Sequence, residues 1–166
     1  VLDVTWVIGF SSALCPLVGE QYGMRNYKNS LRYCNQAICV MIGVCSLLFG
    51  LQALAGKWII SFFTNESHII QMSYWMLLMF VIMDGIWSIY MCAQQSLIGV
   101  TYNKWLILGN TLSTTCFCAG VWFGLHRHWS YQSLYYIEVW YWVMLCIFAI
   151  LRFYSRGWIE QDKTEK

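Results

Sequence analysis

The sequence predicts an all-α, polytopic transmembrane helix bundle of about five spans, and three observations carry that expectation. Charged residues make up only 11% of the 166 residues, where a soluble domain has about a quarter. Hydrophobic residues reach 59% and aromatic residues 18%. The apolar residues gather into long runs, each near the ~20 that a helix needs to cross a ~30 Å hydrocarbon core. Strands of a membrane barrel alternate over about ten residues, whereas these runs are longer and apolar on all sides, which argues against a barrel. A net charge of +2 makes no case for nucleic acid.

The first span covers about residues 1–18, apolar except for Asp3 and closed by Pro16 and Gly19. The chain opens on Val1, with neither an initiator Met nor the basic start of a signal peptide, so it is expected to be a piece of a longer protein. Residues 19–33 collect Glu20, Arg25, Lys28 and Arg32 with little apolar periodicity, which predicts a loop leading into an interfacial helix start. The second span, about 35–55, carries no charge and is followed by Lys57 and Trp58, the anchors expected at a bilayer edge. In the next polar stretch Asn65, Glu66 and Ser67 fit the glycosylation acceptor pattern, and the same residue types also cap helix starts. The third span, about 69–98, is too long to stand perpendicular to the membrane; it must tilt, bend near Gly85, or unwind near Gln94, Gln95 and Ser96 before Gly99.

The fourth span, about 105–125, holds Asn110 and a stripe of Cys116, Gly120 and Gly124 spaced by four, which allows close helix packing. The fifth, about 134–154, has Glu138 at its start and Arg152 at its end, and residues 156–166 form a short charged tail. With five alternating spans, Arg25, Lys28, Arg32, Lys104, Arg152, Arg156, Lys163 and Lys166 fall on one side and Lys57 and Arg127 on the other. Basic residues accumulate on cytoplasmic loops, so the C-terminus is expected in the cytoplasm and Asn65 outside.

The third span carries the feature that asks for a function. Asp84 is its one formal charge, with about eight apolar neighbours on either side, where a bilayer has its middle. An ionisable group there costs roughly 2.5–3.5 kcal/mol, so it is expected to have a partner or a task. The eight cysteines show no CxxC pairing and read as small membrane-interior residues rather than metal ligands. His126 and His128 flank Arg127 in an outer loop without further ligands nearby, so no metal and no cofactor are expected. No Ser/His/Asp set and no P-loop appears, which argues against enzymatic chemistry.

The run from Gly9 to Gly19 (GFSSALCPLVG) and Gly23 resemble a helix end of the multidrug and toxic compound extrusion (MATE) transporters. Residues Ile60 to Thr64 with Ile69 and Ile70 are similar to that family's loop into the following helix. Gly99, Asn110 and Trp140, then Gly157, Trp158 and Glu160, sit at similar spacings. The resemblance is to helices eight to twelve of twelve, in a divergent, eukaryotic-type member. It implies a secondary antiporter that exports organic cations or other amphipathic toxins in exchange for H+ or Na+, from the plasma membrane or a vacuole-type organelle. The partners it implies are the organic cation, the lipid bilayer, and the rest of the transporter chain with its first lobe and seventh helix.

Departures from the family pattern are Leu17 and Ile98 in place of arginines, no proline around Gly120, and Glu138 in place of a glycine before Trp140. Asp84 lies about one turn from where the family's tenth-helix acid would fall, near Trp87. Desolvation favours the neutral carboxyl and would let Asp84 exchange a proton or pair with a cation as access alternates. The plainer reading is a protonated Asp bonded to a neighbouring helix. Trp87, Tyr90, Gln94 and Gln95 follow within three turns, and aromatic faces with amides suit a flat cation, although packing explains aromatics as well. Asp3 is a second intramembrane acid, and Glu138 reads as a helix-start residue at the outer interface. Asn110 is expected to bond across helices, and Gly99, Gly120 and Gly124 to serve packing. The rivals are a non-transporting pseudo-transporter or membrane interaction module, and an integral-membrane enzyme.

Overall fold

The computed structural model describes residues 2–155 and 157–159, without the side chains of residues 2–4, 49, 131 and 132. These residues form five helices, α1 (Leu2–Gly23), α2 (Tyr27–Ser61), α3 (Ser67–Gly99), α4 (Asn103–His126) and α5 (Tyr131–Tyr154), and no strand. Among the described residues, α2, α3, α4 and residues Ser133–Tyr154 of α5 are long and apolar enough to cross a membrane. The chain is therefore an all-α, multi-pass integral membrane bundle. Many large hydrophobic side chains stay outward-facing, among them Leu54, Phe63, Trp122 and Leu151, as a lipid-facing surface requires.

The helices run further than hydropathy alone suggests. α1 continues through Pro16 to Gly23, and α2 already starts at Tyr27, so residues 19–33 are not a loop; the connection is Met24 to Asn26. Pro16 forgoes one backbone hydrogen bond without ending the helix, as membrane helices tolerate. α3 is continuous through Gln94, Gln95 and Ser96, so the third span does not unwind there. Both α2 and α3 are about 50 Å long, well beyond the hydrocarbon thickness.

Three connections end in the same way. Arg25, Thr101 and His128 each have positive φ (56°, 59° and 53°). The next residue's N–H reaches back to a carbonyl five residues earlier: Asn26 to Gln21 at 2.8 Å, Tyr102 to Leu97 at 3.0 Å, and Trp129 to Gly124 at 3.0 Å. This left-handed cap is normally a glycine's task.

α3 is the central element, packing on α1, α2 and α5, with α4 seated mainly on α5. Two bare backbones make the α1·α3 crossing possible. A Cβ on Gly99 would stand 2.5 Å from the Cys15 carbonyl oxygen, and one on Gly19 would stand 3.0 Å from that of Gly99. Glycines also fit α4 to α5, where Gly109 meets Phe148, Gly120 meets Ile137 and Gly124 meets Leu134. The segment after α5 turns back into the bundle. Trp158 is fully buried, stacks on Phe153 with centroids 5.7 Å apart, and meets the edges of Tyr22 and Tyr27 at 5.8 Å each. Its Nε1–H donates to the Phe153 carbonyl at 2.9 Å. Trp158 is therefore not part of a solvated tail; residues 160–166 lie outside the described residues.

Candidate functional site

Asp84 sits half-buried at the middle of α3, and helical spacing decides what surrounds it. Val81 and Ser88, three before and four after, share its face. That face meets α1 and α2 around a small cavity of about 20 Å³ lined by Trp6, Val7, Cys45, Leu48, Gln52, Val81, Asp84 and Ser88. The space is of the order of one water molecule. Ser88, fully buried, donates from Oγ to the Asp84 backbone carbonyl at 2.5 Å and stands 3.3 Å from the Cys45 sulfur. Cys45 and Val81 also line a wider apolar groove of about 320 Å³ between α2 and α3, with Gly85 and Ile86. Gln52, Cys45 and Trp6 come from other helices, so no periodicity within α3 announces them.

The next turn of α3 faces a different neighbour. Trp87 and Tyr90 both meet Trp142 of α5, with centroids 6.4 and 6.2 Å apart. The Tyr90 hydroxyl donates to Asn110 Oδ1 of α4 at 2.9 Å. Trp87, Tyr90 and Asn110 thus belong to one interface of α3, α4 and α5, around the corner from the Asp84 cavity. Gln95 is half-buried, eleven residues beyond Asp84 on nearly the same face and about 16 Å further along the axis. The structure does not bring it to Asp84. The Asp3 side chain lies outside the described residues. Asn65 is exposed in the loop between α2 and α3, just before Glu66, which caps the start of α3 without a side-chain hydrogen bond.

Glu138 changes its standing. It belongs to the third turn of a helix that starts at Tyr131 rather than to the helix start. Aromatic contacts on either side of it set the α3·α5 register. Tyr135 meets Trp75 and Phe80 at 6.2 and 6.1 Å, and Trp142 meets Trp87 and Tyr90. Glu138 lies between those contacts along α5, as Asp84 lies between Phe80 and Trp87 along α3. The Tyr135 hydroxyl oxygen is buried and has no hydrogen-bond partner among the described residues, a state that costs about 1–3 kcal/mol.

His126 is exposed and stacked on Trp122 at 5.8 Å, and His128 is exposed in the following turn. Among the described residues no group of three His, Cys, Asp or Glu could hold a metal ion.

A family model described as MatE matches residues 3–120, more than two thirds of the chain. The match takes in α1, α2, α3 and most of α4, hence Asp84, Trp87, Tyr90, Gln95, Gly99, Asn110 and Gly120, and it stops short of α5. No curated protein and no solved structure matches.

Proposed function

Because the chain belongs to the MatE family of transporters, we propose that it forms part of a secondary active antiporter that exports organic cations or other amphipathic toxins in exchange for H+ or Na+. Members of the family are transporters rather than enzymes, and the ion gradient supplies the driving force without a resident cofactor. The observation that carries this reading is Asp84, a carboxyl at mid-helix in α3, on the wall of a cavity enclosed by α1, α2 and α3. A carboxyl in that place changes its proton or cation occupancy when the cavity is exposed to one aqueous phase or the other, and this couples ion movement to access. Trp87 and Tyr90, one to two turns away, supply aromatic surface for the apolar body of a cation.

The remaining parts follow from the same reading. The rest of the transporter, its first lobe and seventh helix, supplies the opposite wall of the transport path. The C-terminus and the connections at 24–26 and 100–102 lie in the cytoplasm, in keeping with the basic residues clustered near them. The membrane is the plasma membrane or that of a vacuole-type organelle.

Asp84→Asn in the full-length protein removes the ionisable group and keeps the shape. In proteoliposomes it should abolish pH-driven or sodium-driven efflux of a fluorescent organic cation, while elution as a folded protein is unchanged. Efflux at the wild-type rate would remove Asp84 from the mechanism.

A further inference from the structure

We propose that the N-terminal turns of α2 bind an anionic phospholipid of the cytoplasmic leaflet, a site that rests on the topology given above and not on ion coupling. Lys28, Arg32, Asn35, Gln36, Cys39 and Val40 follow one another at intervals of three and four, which keeps them on one helix face, and they line a groove of about 990 Å³. The chemistry along this stripe changes in one direction, from two cations through two amides to a thiol and a valine. A phospholipid has the same order, from phosphate through ester carbonyls to acyl chain. Gln36 and Val40 also line a second, apolar groove of about 200 Å³ between α1 and α2, walled by Phe10, Leu14 and Leu17 on one side and by Tyr33 and Ala37 on the other. The two grooves therefore adjoin, one suited to a charged head and the other to a hydrocarbon tail.

The depth fits as well. Lys28 and Lys57, the two lysines of α2, stand about 44 Å apart along the axis, which matches the ~40–45 Å of a bilayer with its headgroup layers. Lys28 then lies among the headgroups, and Val40, about 18 Å further in, among the acyl chains. Lys28 and Arg32 are exposed, and among the described residues neither pairs with an acid. Glu20, the acid nearest in sequence, lines neither groove. Asn35 accepts the Tyr154 hydroxyl at its Oδ1, which leaves its amide hydrogens to donate, so the groove offers an anion donors as well as charge. Basic residues on the cytoplasmic side attract anionic lipids. A protein face would need an anion of its own set beside an apolar ridge to fill both grooves, whereas a lipid brings the two in one molecule.

The test uses the full-length protein, purified in detergent and stripped of lipid. It is titrated with palmitoyl-oleoyl phosphatidylglycerol and with the phosphatidylcholine of the same chains, and bound lipid is counted by native mass spectrometry. The wild type should hold phosphatidylglycerol more tightly by about 30-fold, the effect of two basic residues near a membrane surface. Lys28→Gln together with Arg32→Gln should remove that preference, while Lys104→Gln, outside both grooves, should keep it. Val40→Trp, where the grooves adjoin, should weaken both lipids. Equal affinity of the wild type for the two lipids would overturn the site. So would a preference that survives the double substitution, which would place the lipid elsewhere and leave the groove to another protein face. Displacement of phosphatidylglycerol by an equal concentration of glycerol phosphate would make this a site for free anions and overturn the lipid as its occupant. Transport plays no part in the readout, so failure here leaves the antiporter reading to its own test with Asp84→Asn.

Discussion

Gly99 and Gly85 share α3 and have opposite surroundings, so one substitution probes both. A methyl group at Gly99 would press on the Cys15 backbone oxygen at 2.5 Å, and backbone cannot swing aside. At Gly85 nothing lies within 4 Å of an added Cβ. Gly99→Ala should therefore lose about 1–3 kcal/mol, the usual cost of overpacking, while Gly85→Ala should be neutral or slightly stabilising through helix propensity. Thermal unfolding of the detergent-solubilised protein measures the difference, and equal melting temperatures would refute the crossing geometry. At this scale the sequence was partly legible. A lone carboxylate among apolar neighbours marks Asp84 without help from tertiary structure. The surroundings of Glu138 were not legible, because they depend on how α5 registers against α3 through Tyr135 and Trp142, which no local pattern encodes.

Helix existence was readable from hydropathy, but helix ends were not, and the reason is physical. Glycine and proline were read as stops at Pro16 and Gly19, yet Gly19 thins the helix where α3 crosses and Pro16 lies within the continuing helix. The actual stops are Arg25, Thr101 and His128, residues whose side chains give no hint of a left-handed backbone. Thr101 is the most strained of the three, since a β-branched residue fits positive φ poorly. Thr101→Gly should raise stability by about 1–2 kcal/mol, the penalty of that conformation for an L-residue, provided the Tyr102 N–H keeps its bond to Leu97. A chemical-denaturation midpoint that stays put or falls would show that the threonine side chain does more than bear the turn.

Across the whole molecule, α3 joins an α1·α2 group to an α4·α5 hairpin, and Trp158 closes one end by tying the α1–α2 connection to the end of α5. Trp158→Ala empties a site with no exposed surface and should destabilise the fold by roughly 3–5 kcal/mol. Trp158→Phe, which keeps a ring but loses the hydrogen bond to the Phe153 carbonyl, should recover most of that loss in the same thermal assay. The Gly19–Gly99 contact has a further mechanical meaning. Because α1 and α3 approach there backbone to backbone, a change in their crossing angle would pivot near this point. Asp84 lies fifteen residues up α3 from it, a lever arm of about 22 Å, so a tilt of about 10° at the fulcrum moves α1 by about 4 Å beside the carboxyl. A cavity with room for about one water would thereby widen enough to admit a string of them.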